Sequence, residues 1–221
     1  MRRRLRMLVT AGPTREPVDP VRFLSNYSTG YAGACLATEA LRRGHRVTVV
    51  SGPALFAPPR GARLIRVERA RELQQVLRRL IGRADVLIMA AAVSDFEAAR
   101  PKPRKLSRQG RMALELRATP DILGSLPRRP GQIFAGFALE TGQGIRRARN
   151  KLRAKRLDLI VGQEMRRSDS PFGKRPVQAA LLSSRDGTVR RLGRISKPRL
   201  ARALLDEIEQ LWYGGVSFSA K

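Results

Sequence analysis

Residues Asp85–Val93 read DVLIMAAAV and decide the fold class. An unbroken apolar run is typical of a parallel strand that is covered on both faces, whereas a strand with one wet face alternates apolar and polar residues. Outward from this run, β-rich segments occur at Arg6–Thr10 and Arg46–Val50, and amphipathic helical spacing covers Ala70–Ile81. This alternation predicts a doubly wound, Rossmann-like α/β sheet that is mostly parallel, with right-handed crossovers.

The second half of the chain predicts additions to this sheet. Residues 97–111 are rich in Arg, Lys and Pro and are expected to form a flap. A C-terminal β-hairpin is predicted over 177–192, followed by a helix from Ser196 to Trp212. We expect residues 1–221 to form a single domain in which 214–221 is a frayed tail.

A short helix is predicted to begin at Thr119-Pro-Asp-Ile122. Thr119 is the expected N-cap, because Pro120 then occupies the first helical position, where its missing N–H costs nothing. The preceding segment, Met112–Arg117, alternates apolar and polar residues and predicts a strand. The flap is therefore expected to return to the sheet through a strand and a capped helix.

The charge of the chain is unusual. Its 221 residues carry 45 Lys and Arg against 18 Asp and Glu, a formal net charge of +27. Such an excess is compatible with binding to RNA or another polyanion. However, the arginines are spread along the whole chain and aromatic residues make up only 5%, which disfavours a base-stacking surface. We therefore expect no specific nucleic-acid partner. Because no apolar run reaches roughly 20 residues, we also expect a soluble, cytoplasmic protein with no membrane association.

Three loops are expected to face a ligand. In a doubly wound sheet, ligands bind beyond the carboxyl ends of the strands, which selects residues 11–30, 51–63 and 91–107. The first loop contains three prolines and ends in Ser28-Thr-Gly30 at a helix start, where free backbone N–H groups suit a phosphate. The alternative is that Ser28 or Thr29 only caps this helix. The loop matches neither the dinucleotide-binding glycine motif nor the Walker A motif.

Several polar side chains in or near these loops are candidates for binding or catalysis. The amide of Asn26 offers donors for a carbonyl oxygen on which charge develops, or it only forms a turn with its own backbone. Asp95 follows the central strand and suits ribose hydroxyls or a base amine. Lys105 is a compact point charge on the flap. Lys151 and Lys155 are spaced i, i+4, and a bound anion would relieve their repulsion, although the C-terminal end of such a helix normally lies away from the ligand edge. Solvated loops and helix faces are the alternatives for these charged residues.

No protein nucleophile or metal cage is evident in the sequence. His45 is the only histidine and has no partner in the sequence pattern, and Cys35 lies in the apolar stretch of the first helix. No cluster of His, Cys and carboxylate residues has metal-ligand spacing. This profile fits a reaction in which the nucleophile arrives with a substrate.

These residues resemble a known enzyme family. The segment Val9–Asn26, which reads VTAGPTREPVDPVRFLSN, together with Ser28-Thr-Gly30, closely resembles the characteristic loop of bacterial phosphopantothenate–cysteine ligase (phosphopantothenoylcysteine synthetase). The resemblance covers roughly residues 6–212. It continues through Ser51-Gly-Pro53, Ala91–Phe96, Lys105, Thr119–Ile122, Gly136–Thr141 and Ala148–Ile160.

The resemblance implies a coenzyme A pathway enzyme. Such a ligase activates the carboxylate of 4'-phosphopantothenate with CTP, releases pyrophosphate, and lets the amine of cysteine displace CMP from the acyl-cytidylate. By resemblance, Asn26 binds the acyl-cytidylate and Lys105 is the catalytic flap lysine. The remaining matches are nucleotide- and substrate-binding positions: Gly12, Ser28, Gly30, Ala91, Asp95, Thr119, Pro120, Asp121, Ile122, Phe137, Lys151 and Lys155.

The resemblance also implies partners. Magnesium is expected to arrive on the triphosphate of CTP, with no protein metal site. Bacterial members are typically homodimers, and many are fused behind a flavin-dependent decarboxylase. Because this chain begins at the ligase strand, we expect a free-standing form, with a decarboxylase as a separate candidate partner.

Some positions depart from the family pattern. Tyr31 replaces a lysine, Leu139 replaces an alanine, and Gln163-Glu164 stands where Asn-Asp is usual. These changes affect phosphate contacts and the rim of the substrate or dimer site. The rival enzyme class is an NAD(P)-dependent oxidoreductase on the same kind of sheet, but no tyrosine here has a lysine four residues later.

Overall fold

The computed structural model describes residues 3–108, 110–165 and 170–214. Most of the tail predicted over 214–221 lies outside the described residues. The strands are β1 (Arg6–Ala11), β2 (Arg15–Pro17), β3 (Phe23–Ser25), β4 (Arg46–Ser51), β5 (Arg63–Arg66), β6 (Val86–Met89), β7 (Phe96–Ala98), β8 (Leu116–Ala118), β9 (Ile133–Glu140), β10 (Leu159–Glu164), β11 (Val177–Ser183) and β12 (Val189–Ile195). The helices are α1 (Tyr31–Arg42), α2 (Ala70–Ile81), α3 (Ile122–Ser125), α4 (Gly144–Ala154) and α5 (Lys197–Gly214).

The main sheet has eight strands in the order β12-β11-β10-β9-β6-β1-β4-β5. Strands from β5 to β10 across the sheet pair in parallel, and the β11–β12 hairpin continues the sheet antiparallel at one edge. The mostly parallel Rossmann-like sheet and the C-terminal hairpin with its helix are thus confirmed. β6 lies between β1 and β9, and its residues are fully buried because helices cover both faces.

The helices form two layers, one on each face of the sheet. α1 and α5 pack on one face, and α2 and α4 pack on the other. α1 lies very close to β1, because a Cβ built on Gly33 would stand 2.4 Å from the Cβ of Ala11. A larger residue at this position would therefore push the N-terminus of α1 away from the ligand edge.

The long first loop is not structureless. β2 and β3 form a short antiparallel hairpin within it. The turn is formed by Asp19, whose Oδ1 accepts hydrogen bonds of 2.8 Å from the backbone N–H groups of both Val21 and Arg22. An aspartate that accepts hydrogen bonds from the backbone N–H groups after it is a local turn former. Asp19 therefore forms the turn that joins β2 to β3.

The central strand and the flap strand are shorter than the sequence pattern predicts. β6 ends at Met89, and in the apolar residues 90–93 the continuous ladder gives way to an isolated parallel bridge between Ala92 and Pro13. The N–H of Ala91 donates to Thr10 Oγ1 at 2.9 Å, so a side chain replaces the strand partner there. Of the predicted strand Met112–Arg117, only the end joins β8, which pairs with β7 at the base of the flap.

The predicted cap of α3 is wrong, and the alternative by which Ser28 or Thr29 caps α1 is wrong as well. α1 is preceded by Gly30 in a left-handed conformation, with φ of 79° and no capping side chain, so neither Ser28 nor Thr29 is the N-cap. Asp121, not Thr119, caps α3, accepting a hydrogen bond from the N–H of Gly124. Thr119 is pulled away because its hydroxyl donates to the carbonyl oxygen of Ser94 at 2.6 Å.

His45 has a partner that its sequence neighbourhood does not reveal. The ring is buried, Nδ1 accepts from the N–H of Leu5, and Nε2 lies 2.9 Å from a carboxylate oxygen of Glu209, which is 164 positions away on α5. Because Nδ1 accepts, Nε2 carries the proton of the neutral ring and donates to Glu209. This pair joins α5 to the start of β1 and β4.

Within the described ranges, no helix has the length and apolar character needed to cross a membrane.

Candidate active site

A cavity of about 740 Å³ opens at the carboxyl ends of β6 and β9. From β1 the chain first adds β4 and then β5 on one side of the sheet. It then crosses over and adds β6, β9 and β10 on the other side of β1, so the strand order reverses between β1 and β6. This is where doubly wound sheets bind ligands. Most of the predicted site residues line this cavity: Asn26, Ser28, Gly30, Ala91, Asp95, Thr119, Pro120, Asp121, Ile122, Phe137, Lys151 and Lys155.

Gly12 does not line the cavity wall formed by the described residues. It is buried at the start of the first loop with φ of 73°, and a Cβ built on it would lie 3.0 Å from the carbonyl oxygen of Gly52. Gly30 is tighter still, since its Cβ would lie 2.6 Å from the Cβ of Ala54. These two glycines therefore let the loop after β4 approach the N-terminus of α1 closely.

Asn26 is held by the segment that follows β6. Its Nδ2 donates hydrogen bonds of 3.1 Å to the carbonyl oxygens of both Ala92 and Val93. Two carbonyl acceptors fix which end of the amide faces the protein, because only the NH₂ group can donate to them. The amide does not form a turn with its own backbone, and its Oδ1 is the end available to a ligand. For the NH₂ group of Asn26 to bind a substrate carbonyl, it would first have to give up its hydrogen bond to Ala92 or to Val93.

The segment after β6 is itself anchored to the first loop. The N–H of Ser94 donates to Thr14 Oγ1 at 3.0 Å, and the N–H of Ala92 donates to the carbonyl oxygen of Gly12 at 2.9 Å. Asp95, exposed at the cavity, is tied through its own carbonyl oxygen, which accepts from the N–H of Thr119 at 3.0 Å. Backbone contacts thus place Asp95 opposite the α3 segment without using its carboxylate.

Lys151 and Lys155 reach the cavity despite their place near the C-terminal end of α4. The pairing of β9 with β6 ends at Gly136 and Met89, so β9 continues beyond β6. α4 therefore begins farther out, and about 10 Å of helix brings Lys151 back to the level of the edge of β6. The predicted difficulty, that this end of the helix faces away from the ligand edge, is overcome by the length of β9.

The two lysines have different protein partners. Lys151 Nζ donates to the carbonyl oxygen of Phe137 at 2.8 Å, and burial lowers the pKa of this ammonium against the opposing effect of Asp95 and Glu140. Lys155 Nζ lies 2.7 Å from Asp121 Oδ2. Burial opposes ionisation of Asp121, but the Lys155 ammonium and the N–H of Gly124 outweigh it, so the pKa of Asp121 is lowered. The ammonium group of Lys151 is therefore held at β9, and that of Lys155 is held beside the N-cap of α3.

Lys197 and the segment 171–173 were missed by sequence reasoning. Lys197 is buried, lines the cavity, and donates through Nζ to the carbonyl oxygens of Pro171 and Gly173. Burial lowers the pKa of this ammonium, and the nearby Cys35 acts in the opposite direction. Phe172 packs against Tyr27, with ring centroids 5.9 Å apart. The sequence signal for Lys197 was that it is a lysine in a chain in which most basic residues are arginines.

The residues that depart from the family pattern divide between the wall and the rim. Tyr31, Leu139 and Gln163 line the cavity. The ring of Tyr31 packs on Phe56 at 4.7 Å between centroids, and Lys197 Nζ lies 6.0 Å from its centroid. Glu164 is exposed at the end of β10. Tyr31, which the resemblance sets where the family usually has a lysine, therefore has the ammonium group of Lys197 above its ring.

A second cavity, of about 600 Å³, lies beside the first. Residues 26–29 line both cavities, so this segment separates them. The second cavity is bounded by the loop after β4, where the N–H groups of Leu55 and Phe56 both donate to the carbonyl oxygen of Thr29. The three predicted loops therefore do meet at this edge, but they form two compartments.

Lys105 lies on the flap and is exposed, and it is not among the described residues that line either cavity. The flap leaves from β7 and returns through β8, and Glu97 at its base accepts from Arg71 and Arg117. Of the predicted catalytic pair, the structure thus places Asn26 on the cavity wall and Lys105 outside it.

The donor set of the cavity suits an anion more than a metal ion. Lys151, Lys155 and Lys197 line it, and among its carboxylates Asp121 is already paired with Lys155. Across the described part of the chain, no three His, Cys, Asp or Glu side chains gather in a way that could hold a metal ion.

Comparison with known proteins places the chain in a family. Residues 3–211 match the family described as DNA/pantothenate metabolism flavoprotein C-terminal domain. The coenzyme A biosynthesis bifunctional protein CoaBC of Bacillus subtilis is 39% identical over 208 residues, covering 93% of this chain and 51% of that protein. The CoaBC protein of Escherichia coli K12 is 34% identical over 212 residues, covering 92% of this chain and 51% of that protein.

The fold agrees with a solved relative. The crystal structure of the C-terminal domain of CoaBC superposes with a TM-score of 0.79 at 32% identity, covering 95% of this chain and 96% of that one. This chain spans about half the length of the curated relatives it matches. It belongs to the DNA/pantothenate metabolism flavoprotein C-terminal domain family.

Proposed function

We propose that this protein is a CTP-dependent phosphopantothenate–cysteine ligase. It would activate the carboxylate of 4'-phosphopantothenate as an acyl-cytidylate with release of pyrophosphate, and cysteine would then displace CMP. The observation that carries the proposal is the cavity at the edge of β6, where the residues matched to the ligase motifs converge around three lysines. The described residues that line the cavity include no cysteine or histidine, which fits a reaction whose nucleophile is the cysteine amine.

The phosphates of CTP are proposed to lie between α1 and α4. The first turn of α1 carries no acidic residue, and its N-terminus lines the cavity through Gly30 and Tyr31. The positive end of the helix dipole attracts phosphate. Lys151 and Lys155 line the wall across the cavity, so a polyphosphate would be neutralised from two sides. Asp95 is proposed to accept hydrogen bonds from the ribose hydroxyls or the cytosine amine.

Asn26 is proposed to act on the second half-reaction. Since Ala92 and Val93 hold its NH₂ group, Oδ1 faces the substrates as an acceptor. An amide oxygen can accept a hydrogen bond from the incoming amine and orient it toward the acyl carbon, which is a contribution of positioning. Loss of one of the two carbonyl bonds would free an N–H for the acyl oxygen as charge develops there.

Magnesium is proposed to enter with CTP, bound through the phosphate oxygens. The described cavity residues offer no ligand cluster, and Mg²⁺ commonly binds through substrate phosphates and water.

A homodimer is proposed as the assembled form. The β2–β3 hairpin lies against β7, and both carry large apolar side chains that are exposed, among them Val21, Phe23 and Phe96. Exposed apolar side chains in this density are characteristic of an interaction surface. Size-exclusion chromatography with light scattering tests the dimer, and co-purification tests a separate flavin-dependent decarboxylase as a partner.

The deciding experiment is an assay of pyrophosphate release with CTP and 4'-phosphopantothenate, with and without cysteine. The ligase predicts pyrophosphate release that depends on phosphopantothenate and product formation that also needs cysteine. No release under any condition would reject the ligase. Two parallel assays cover the rival classes: NAD(P)H oxidation, and RNA binding that survives physiological salt.

A further inference from the structure

Asp19 connects the hairpin that carries Asn26 to the flap that carries Lys105. Its side chain has 0% exposed surface. Oδ1 accepts from the N–H groups of Val21 and Arg22 within the hairpin turn. Oδ2 accepts from the N–H of Leu106, the residue that follows Lys105, at 3.1 Å, and from Arg22 Nη1 at 2.7 Å.

Further contacts join the same two segments. Arg22 Nη1 also donates to the carbonyl oxygen of Leu106 at 3.2 Å, so both backbone polar groups of Leu106 are bound from the hairpin. The N–H of Lys102 donates to the carbonyl oxygen of Val18 at 2.8 Å. The flap is thus attached on both sides of Lys105, to the two consecutive residues Val18 and Asp19.

Only an ionised carboxylate fits this position. Four donors converge on its two oxygens, and a carboxylate is the side chain that accepts at every site without donating. An asparagine would present an NH₂ group to N–H donors on one side. Burial opposes the charged form, but the N–H groups of Leu106, Val21 and Arg22 and the Arg22 charge outweigh it and lower the pKa of Asp19 to about 2. Asp19 is therefore ionised at neutral pH.

We propose that Asp19 is a positioning residue that holds the flap carrying Lys105 at a fixed position relative to Asn26. The carboxylate has no contact with the cavity among the described residues and acts through the backbone of Leu106. The kinetic part of this proposal rests on the proposed ligase function, whereas the attachment of the flap can be measured without any turnover.

The attachment is tested by limited proteolysis of the intact chain. Trypsin cleavage after Arg104 and Lys105, followed by mass spectrometry, is expected to be about tenfold or more faster in Asp19→Asn than in the wild type, because the flap opens more often. Asp186→Asn is the matched control, since Asp186 also accepts from nearby residues in a turn, but only within the β11–β12 hairpin loop. Equal cleavage rates in wild type and Asp19→Asn would overturn the proposal.

A measurement on the wild type covers the case in which Asp19→Asn does not fold. Amide hydrogen exchange is expected to be at least about tenfold slower at Leu106 than at the exposed neighbours Lys105 and Ser107. Exchange at Leu106 as fast as at Lys105 would refute the attachment.

The kinetic role is tested by a double-mutant cycle with Lys105→Gln. Asp19→Asn is expected to lower kcat for pyrophosphate release about tenfold or more while leaving KM for CTP nearly unchanged. In the Lys105→Gln background the same change is expected to have little further effect, because Asp19 acts through Lys105. An equal loss in both backgrounds would instead assign Asp19 a general structural role. If the wild type releases no pyrophosphate, the ligase proposal fails and proteolysis and hydrogen exchange still decide the attachment.

Discussion

Asn26 Nδ2 lies 3.1 Å from the carbonyl oxygen of Ala92, so the residue proposed to handle the acyl intermediate is bound to the segment that leaves the central strand. The contact joins the first ligand-facing loop to the third, between sequence positions 66 apart. It also determines that the amide oxygen, and not the NH₂ group, is directed to a ligand. Changes at Asn26 are therefore expected to act on the orientation of the site as well as on its chemistry.

Asn26→Asp is expected to stall the second half-reaction more than the first. A carboxylate cannot donate to the carbonyl oxygens of Ala92 and Val93, and its charge would repel a phosphate-bearing intermediate. Acyl-cytidylate trapped during turnover should accumulate in the variant. Equal loss of both half-reactions would contradict a role centred on attack by cysteine.

Lys105→Gln is expected to reduce pyrophosphate release by about a hundredfold or more, with an unchanged melting temperature. Lys105 lies outside the described lining of the cavity, so this result requires a movement of the flap that brings its charge beside the reacting phosphate, where a positioned charge stabilises the transition state strongly. Lys102→Gln is the control on the same flap, because the contact of Lys102 with Val18 uses its backbone N–H and survives the change. Turnover like that of the wild type in Lys105→Gln would remove Lys105 from the mechanism.

CTP is expected to support the reaction at least about a hundredfold better than ATP. The proposed base site is formed by Ala91, Asp95 and backbone groups, and each polar group that a bound base buries but the wrong base leaves unpaired costs about 1 to 3 kcal/mol. Pyrophosphate release at equal concentrations of CTP, UTP, ATP and GTP measures the preference. If Asp95 holds only the ribose, Asp95→Asn will weaken the binding of all four nucleotides alike. Equal rates of the wild type with ATP and CTP would refute base selection.

Acid is expected to weaken the contact between α1 and α5 through Glu39. Burial opposes its charge, but hydrogen bonds from Arg42, the largest effect, and from Arg43 lower the pKa of Glu39 to about 2. A carboxyl whose pKa is lowered by folding stabilises the fold above its unfolded pKa, near 4.5, and loses this contribution as the pH falls toward 2. Arg43 also binds Asp206 of α5, so the loss extends to that helix.

Urea denaturation at pH 7 and pH 3 measures this effect. The wild type should lose more free energy of unfolding between the two pH values than Glu39→Gln, which lacks the titrating group. Glu68→Gln serves as a control on an exposed carboxyl. The same pH dependence in wild type and Glu39→Gln would show that the Glu39 contacts do not contribute to acid sensitivity.

The sheet and its main helices could be predicted because their signals are local. The apolar run around β6 and the helical spacing of α2, predicted over the residues where it is observed, arise from the periods of strand and helix, which neighbouring residues express directly. Most of the site residues predicted from the resemblance to the ligase family likewise line the cavity. By contrast, Thr119 was assigned as a cap from local preference, and a contact with Ser94 overrode it.

Contacts between distant positions were decided only by the tertiary structure. Leu106 and Asp19 are 87 positions apart, and Lys197 meets Pro171 across 26. The position of Lys151 depends on how far β9 extends beyond β6, which follows from the register of two strands. Amino-acid patterns encode which face of an element is apolar, but the meeting of two polar groups depends on the path that the chain takes between them. The sequence by itself therefore determined the sheet and the family-like loop, while the folded chain determined which donors and acceptors meet at its edge.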